Sequence, residues 1–172
     1  MDDLSLPEVR RWVDAANALR RQGDASGGAA GSDGRRAEQR LDNLFRTSHT
    51  LAVYGTLAPG QPNHHVVAPL GGEWTDGLIE GDLLPVVWGA ALGYPGFRPR
   101  VGGDAVAVQV LIASSLATAW PTLDRFEGPG YERILVPVFD REMGPGQAGE
   151  QRLHTVANLY SPTEADPGAT AF

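Results

Sequence analysis

From Leu51 onward the sequence is a succession of short apolar runs, each closed by glycine or proline, and this pattern sets the fold class. Such runs read as strands, because the turns between them need glycine's open φ or proline's fixed one. Five strands are expected, over residues 50–54, 77–84, 105–112, 134–139 and 155–160. One helix is well signalled among them, over residues 115–127, with Ser115 as cap and Leu116, Ala119, Leu123 and Phe126 on one stripe. Pro121 falls inside it and should kink it or delay its start. Strands with a single helix, and no alternation of strand and helix, argue for an α+β domain built on a small curled sheet or barrel.

Residues 1–48 are of another kind. Ser5-Leu-Pro-Glu8 fits a capping box, and Val9, Trp12, Val13, Ala16 and Leu19 then recur at helical spacing to about Gln22. Residues 23–34 are rich in Gly, Ala, Ser and Asp and read as a flexible linker. Ala37, Leu41, Leu44 and Phe45 mark a second short amphipathic helix. The chain therefore divides into a helical extension, 1–48, and a domain over 49–172. Two short helices on a loose linker form no core alone, so they must pack on the main domain, on a second subunit or on a protein partner.

Composition removes several function classes. With no cysteine among 172 residues there is no thiolate nucleophile, disulfide or zinc-thiolate site. All 14 basic residues are arginine, which removes Schiff-base chemistry and the phosphate-loop lysine. With 21 acidic residues the net charge is −7, which gives no general attraction for nucleic acid or an anionic membrane. The longest apolar segment, 83–97, is broken by Pro85, Gly89, Gly93 and Pro95, so no membrane span is expected. The opening Met1-Asp-Asp3 lacks the basic start of a signal peptide, so the expected location is cytoplasmic.

Chemistry has few places to reside. Gly55-Thr-Leu-Ala-Pro-Gly60 follows a strand, but Gln61-Pro62 stands where a phosphate loop needs Lys-Ser/Thr. It is either an ordinary turn or a nest of backbone amides suited to a carboxylate or oxyanion. His49, His64, His65 and His154 show no metal-ligand spacing, and no cofactor or metal is expected. There is no G-x-S-x-G elbow, and Ser114-Ser115 reads as a helix cap. In Leu123-Asp-Arg-Phe-Glu-Gly-Pro-Gly-Tyr-Glu-Arg133, Asp124 and Glu127 share a helix face. Glu127, beside Phe126 and before a Gly-Pro-Gly turn, is either a solvated helix end or an acid/base. In the second case desolvation and its acidic neighbour would raise its pKa.

Three segments in order resemble the γ-glutamyl cyclotransferase-like family. They are Val53-Tyr-Gly-Thr-Leu-Ala-Pro-Gly-Gln-Pro-Asn-His64, Gly93-Tyr-Pro-Gly-Phe97, and Leu123-Asp-Arg-Phe-Glu-Gly128 with Gly130-Tyr-Glu-Arg133. The first most resembles the γ-glutamylamine cyclotransferase branch. The resemblance implies a compact α+β fold around a small mixed barrel, of about five to seven strands with one main helix. It implies substrate binding by the loop Tyr54, Gly55, Thr56, Leu57, a catalytic acid/base at Glu127, and a cavity-lining Tyr131. The implied reaction releases 5-oxoproline and a free amine from a γ-glutamyl amide or peptide, without cofactor. A ligand-binding or regulatory module that has lost turnover is the alternative, and an interaction protein acting through residues 1–48 is a third reading. Residues 84–97 are the expected second wall of the pocket, with Trp88 as core or lid. Val108-Gln109 stands where the family's pattern carries Gly-Glu, and the extension has no counterpart in its simple members.

Overall fold

The computed structural model describes residues 4–23, 28–84, 96–141 and 151–163. Two helices, α1 (Leu6–Gln22) and α2 (Ala29–Phe45), precede β1 (Thr50–Val53). The chain continues through β2 (Glu73–Leu84), β3 (Gly96–Pro99) and β4 (Asp104–Ile112), then α3 (Leu116–Glu127), β5 (Tyr131–Phe139) and β6 (Leu153–Pro162). Strand order is β3-β2-β4-β1-β6-β5, and β5 returns to β2 through the pair Leu78 and Phe139. Five strands thus close a barrel, with β3 attached to the outside of β2. Parallel pairing of β1 with β6 makes the sheet mixed. All five expected strands are present, and β2 begins four residues before its expected start at Gly77.

Alternation along the strands sorts side chains into separate layers. Ala52, Val108, Val110, Ile134, Val136, Val138, Ala157 and Leu159 fill the barrel with Ile79 and Phe97. Leu51, Val53 and Leu111 point the other way and pack under α3 with Leu57, Leu116, Trp120 and Leu123. Leu135 and Val156 face outward and are covered by Val9, Val13, Ala16, Ala37 and Leu41 of the two N-terminal helices. The extension therefore packs on β5 and β6 of its own chain.

Several local expectations are corrected. Ser5 makes no side-chain cap bond. The second helical residue is Pro7, which has no N–H, and the next amide, Glu8, already bonds the Ser5 carbonyl at 3.0 Å. The expected linker is partly helix: α2 starts at Ala29, and only residues 24–27 of it lie outside the described residues. Gly34 is where α1 and α2 touch, since an added Cβ would stand 2.7 Å from the Leu19 Cβ. Tertiary packing overrides the weak helix propensity of that stretch. Ser115 does not cap α3 with its side chain, because its hydroxyl donates to the Leu70 carbonyl at 2.6 Å. Pro121 does not delay α3, which starts at Leu116. The buried stripe of α3 is Leu116, Trp120 and Leu123, and Phe126 is 41% exposed. Among the described residues no helix is long and apolar enough to cross a membrane.

Candidate active site

The site gathers at one end of the barrel, where β1 runs into a loop and α3 runs into β5. Gly128 ends α3 at φ 78, a conformation that favours glycine, and its amide bonds the Asp124 carbonyl at 3.0 Å. Glu127 is thereby left as the last helical residue, half-buried, beside the start of β5.

Its environment sets its chemistry. Burial pushes the Glu127 carboxyl up from 4.5 to about 7. The negative end of the helix acts in the same direction. Asp124 does not share in this, contrary to the expectation of an acidic neighbour, because its carboxylate is held by Arg133 at 2.9 Å. Nor does exposed Phe126 supply the apolar wall. Among the described residues Glu127 has no hydrogen-bond or ion-pair partner, whereas Asp76, Asp82, Asp124, Glu38, Glu80 and Glu132 each pair with an arginine.

Tyrosines surround this carboxyl. Burial raises the Tyr54 and Tyr131 hydroxyls above the usual range, and the Glu127 charge adds to both shifts. Tyr54 is a brace: its hydroxyl accepts from the Phe97 amide at 3.1 Å and donates to the Tyr160 carbonyl at 3.1 Å. Phe97, fully buried on β3, so anchors the C-terminal end of the expected pocket wall. Trp88 and the rest of that wall from 85 to 95 lie outside the described residues.

The loop after β1 has an asymmetry between its donors and acceptors. The carbonyls of Gly55, Thr56 and Leu57 are all occupied, by the Ala58 amide, the Asn63 amide and His64 Nδ1, at 3.1, 3.0 and 3.0 Å. The three amides of the same residues have no acceptor among the described residues. Asn63 also donates to the Thr56 hydroxyl at 3.0 Å, which fixes the loop's curvature. The Leu57 side chain is buried with Leu123 and Trp120 against Tyr131, so loop and α3 are clamped together.

A polar chain that the sequence reading missed ties α3 to β5, β6 and the N-terminal helices. Tyr160 donates to Asp124 at 2.7 Å, and the Arg133 guanidinium, stacked 4.5 Å from the centre of the Trp120 ring, holds the same carboxylate. Arg133 continues to Asn158 Oδ1 at 3.4 Å, and Arg20 of α1 reaches that oxygen at 2.8 Å while pairing with Glu38 of α2. The only signal in the sequence was that Asp124 and Arg133 sit in one motif. The histidines do not converge: His64 serves Leu57, His65 the Pro62 carbonyl, His49 Ser48 and His154 Asp140.

This closed barrel, with a cation-free carboxyl at a helix end beside a row of open amides, has the γ-glutamyl cyclotransferase-type fold. An AIG2-like protein from Mus musculus shares it, with a TM-score of 0.51 and 24% identity over 70% of this chain and 80% of that one. YkqA from Bacillus subtilis is similar at a TM-score of 0.48 and 22% identity, over 67% of this chain and 36% of that one. An uncharacterized protein from Pyrococcus horikoshii gives 0.44 and 20%, over 66% and 76%. No curated protein matches the sequence. Residues 51–166 match the family described as gamma-glutamyl cyclotransferase, AIG2-like, and the chain belongs to that family. Both N-terminal helices lie outside the matched residues.

Proposed function

We propose that the protein is a γ-glutamyl cyclotransferase that cleaves a γ-glutamyl amide or peptide into 5-oxoproline and a free amine, with Glu127 as general acid/base. The observation that carries this reading is the half-buried Glu127 carboxyl without a cation, titrating near neutrality. A solvated helix end would show an ordinary carboxylate instead.

The substrate brings its own nucleophile. Its α-amine closes a five-membered ring on the γ-carbonyl, and such intramolecular attack is worth an effective molarity of roughly 10⁵ M or more when the pose is right. Ionised Glu127 takes a proton from the substrate ammonium, and the freed nitrogen pair attacks the γ-carbon. The carbonyl pair moves onto oxygen, where donors of the amide row at Gly55, Thr56 and Leu57 can hold the oxyanion or, in another pose, the substrate α-carboxylate. Protonated Glu127 then gives its proton to the leaving nitrogen as the C–N bond breaks. Atoms balance with no water consumed. Tyr54 holds the geometry through two main-chain bonds, and Tyr131 stands close enough for its hydroxyl to feel the Glu127 charge.

The test is 5-oxoproline release from a panel of γ-glutamyl amino acids, γ-glutamylamines and glutathione across pH. The base must be ionised to act, so kcat/KM falls tenfold per pH unit below about pH 7. A limb near pH 4.5 would place the base elsewhere. Gly55 supplies a second check, because an added Cβ there meets no atom of the described residues within 4 Å beyond its chain neighbours. Gly55→Ala should move Tm by no more than about 2 °C. It should raise KM severalfold, because the added methyl stands where substrate approaches the amides.

A further inference from the structure

We infer that the N-terminal helices complete the substrate site, and that the cavity between them and the barrel takes a leaving group bearing a carboxylate, recognised by Arg35. This rests on the cyclotransferase reading and names the half of the substrate that the motifs leave open.

The cavity measures about 600 Å³, a volume suited to a small molecule. Its barrel side is Tyr131, Tyr160, Asp124 and Arg133. Glu127 is not itself in the lining, but Asp124 lies one helical turn before it, and the Glu127 charge acts on both Tyr131 and Tyr160 of the wall, which sets the cavity beside the reacting carboxyl. Its opposite side is Leu19 and Arg20 of α1 with Arg35 and Glu38 of α2. Without the extension this space would be open surface.

Charge decides what the cavity accepts. Arg20 is paired with Glu38, Arg133 with Asp124, and Glu132 with Arg21. Among the described residues Arg35, exposed on α2 at the rim, is the one lining charge without an ion-pair partner, so its guanidinium is open to a ligand. A guanidinium presents paired donors that match a carboxylate and offer nothing comparable to an ammonium. Tyr131 and Leu19 give the apolar surface for the carbon chain that carries the carboxylate.

The test uses two compounds of one shape: γ-glutamylglutamate, and the analogue in which both carboxylates of the leaving glutamate are carboxamides. Turnover gives the ratio of kcat/KM for the pair. Titration calorimetry on the Glu127→Gln protein gives the ratio of affinities, independent of activity. Arg35→Ala should lower both ratios about fivefold or more, Arg35→Glu further, and Arg36→Ala, outside the cavity, neither. Ratios unmoved by either Arg35 variant overturn the assignment, as does a change confined to turnover. Should the full-length protein release no 5-oxoproline from any substrate, the cyclotransferase reading fails, and the affinity ratio still decides the cavity.

Discussion

Glu127→Gln lowers 5-oxoproline release by about 10³-fold or more, because one group serves as base in the first step and acid in the second. Glutamine keeps the shape and loses both proton transfers. The same variant should be more stable than the natural protein at pH 8. Glu127 titrates near 7 in the fold against an ordinary 4.5, so the unfolded chain gives up this proton first. Ionising Glu127 therefore costs the folded state progressively between those two pH values, by at most roughly 3 kcal/mol and less after partial solvent screening. Below about pH 4 both forms are protonated and the cost vanishes. Melting curves of the two proteins should thus coincide at pH 4 and separate by several degrees at pH 8, with the variant higher. Loss of turnover with a gain in stability excludes misfolding as the cause. A variant that keeps the natural rate would sink the role given to Glu127, and binding of 5-oxoproline without turnover in the natural protein would favour the non-catalytic alternative.

What could be read in the sequence was what is local. The Gly55–Leu57 turn and the Glu127–Gly128 helix end each lie within one continuous segment, so residue types at fixed spacing carry their geometry. Apolar runs closed by glycine and proline likewise marked the five strands of the barrel. The parts that stayed hidden depend on residues far apart in the chain. β3 is only four residues, Gly96–Pro99, opened by glycine and closed by proline, too short for a strand pattern to show, and it exists because it pairs with the end of β2. The first turns of α2 mix Ala with Gly, Ser and Asp, the last three poor helix formers, and they fold because Gly34 lets α1 approach closely. Asp124 looked like an acidic neighbour of Glu127 on spacing alone. Only the fold shows it turned to Arg133 and Tyr160, which leaves Glu127 as the unpaired carboxyl.

Asn17→Ala should cost about 2–4 kcal/mol and lower Tm by about 5–12 °C, although Asn17 sits on a helix outside the family match. The reason lies in how the barrel closes. β5 has β6 along one edge, but its other edge meets β2 only at Leu78 and Phe139. At Leu135 the main chain turns both its N–H and its C=O toward that open edge, where Asn17 receives one and supplies the other, each at 2.8 Å. The Asn17 carboxamide so does at one point what a neighbouring strand would do along a length. Alanine would orphan two buried main-chain groups at once, which is the costly case. Denaturant unfolding of the purified variant gives the number. A loss below about 0.5 kcal/mol would mean that α1 merely rests on the barrel and that water or a shift of β5 satisfies Leu135. The expected loss instead makes the first helix part of the barrel wall. Because β5 also carries Tyr131 and Arg133, a helix that fixes its edge also fixes one side of the site, and removing residues 1–48 should then impair folding and catalysis together.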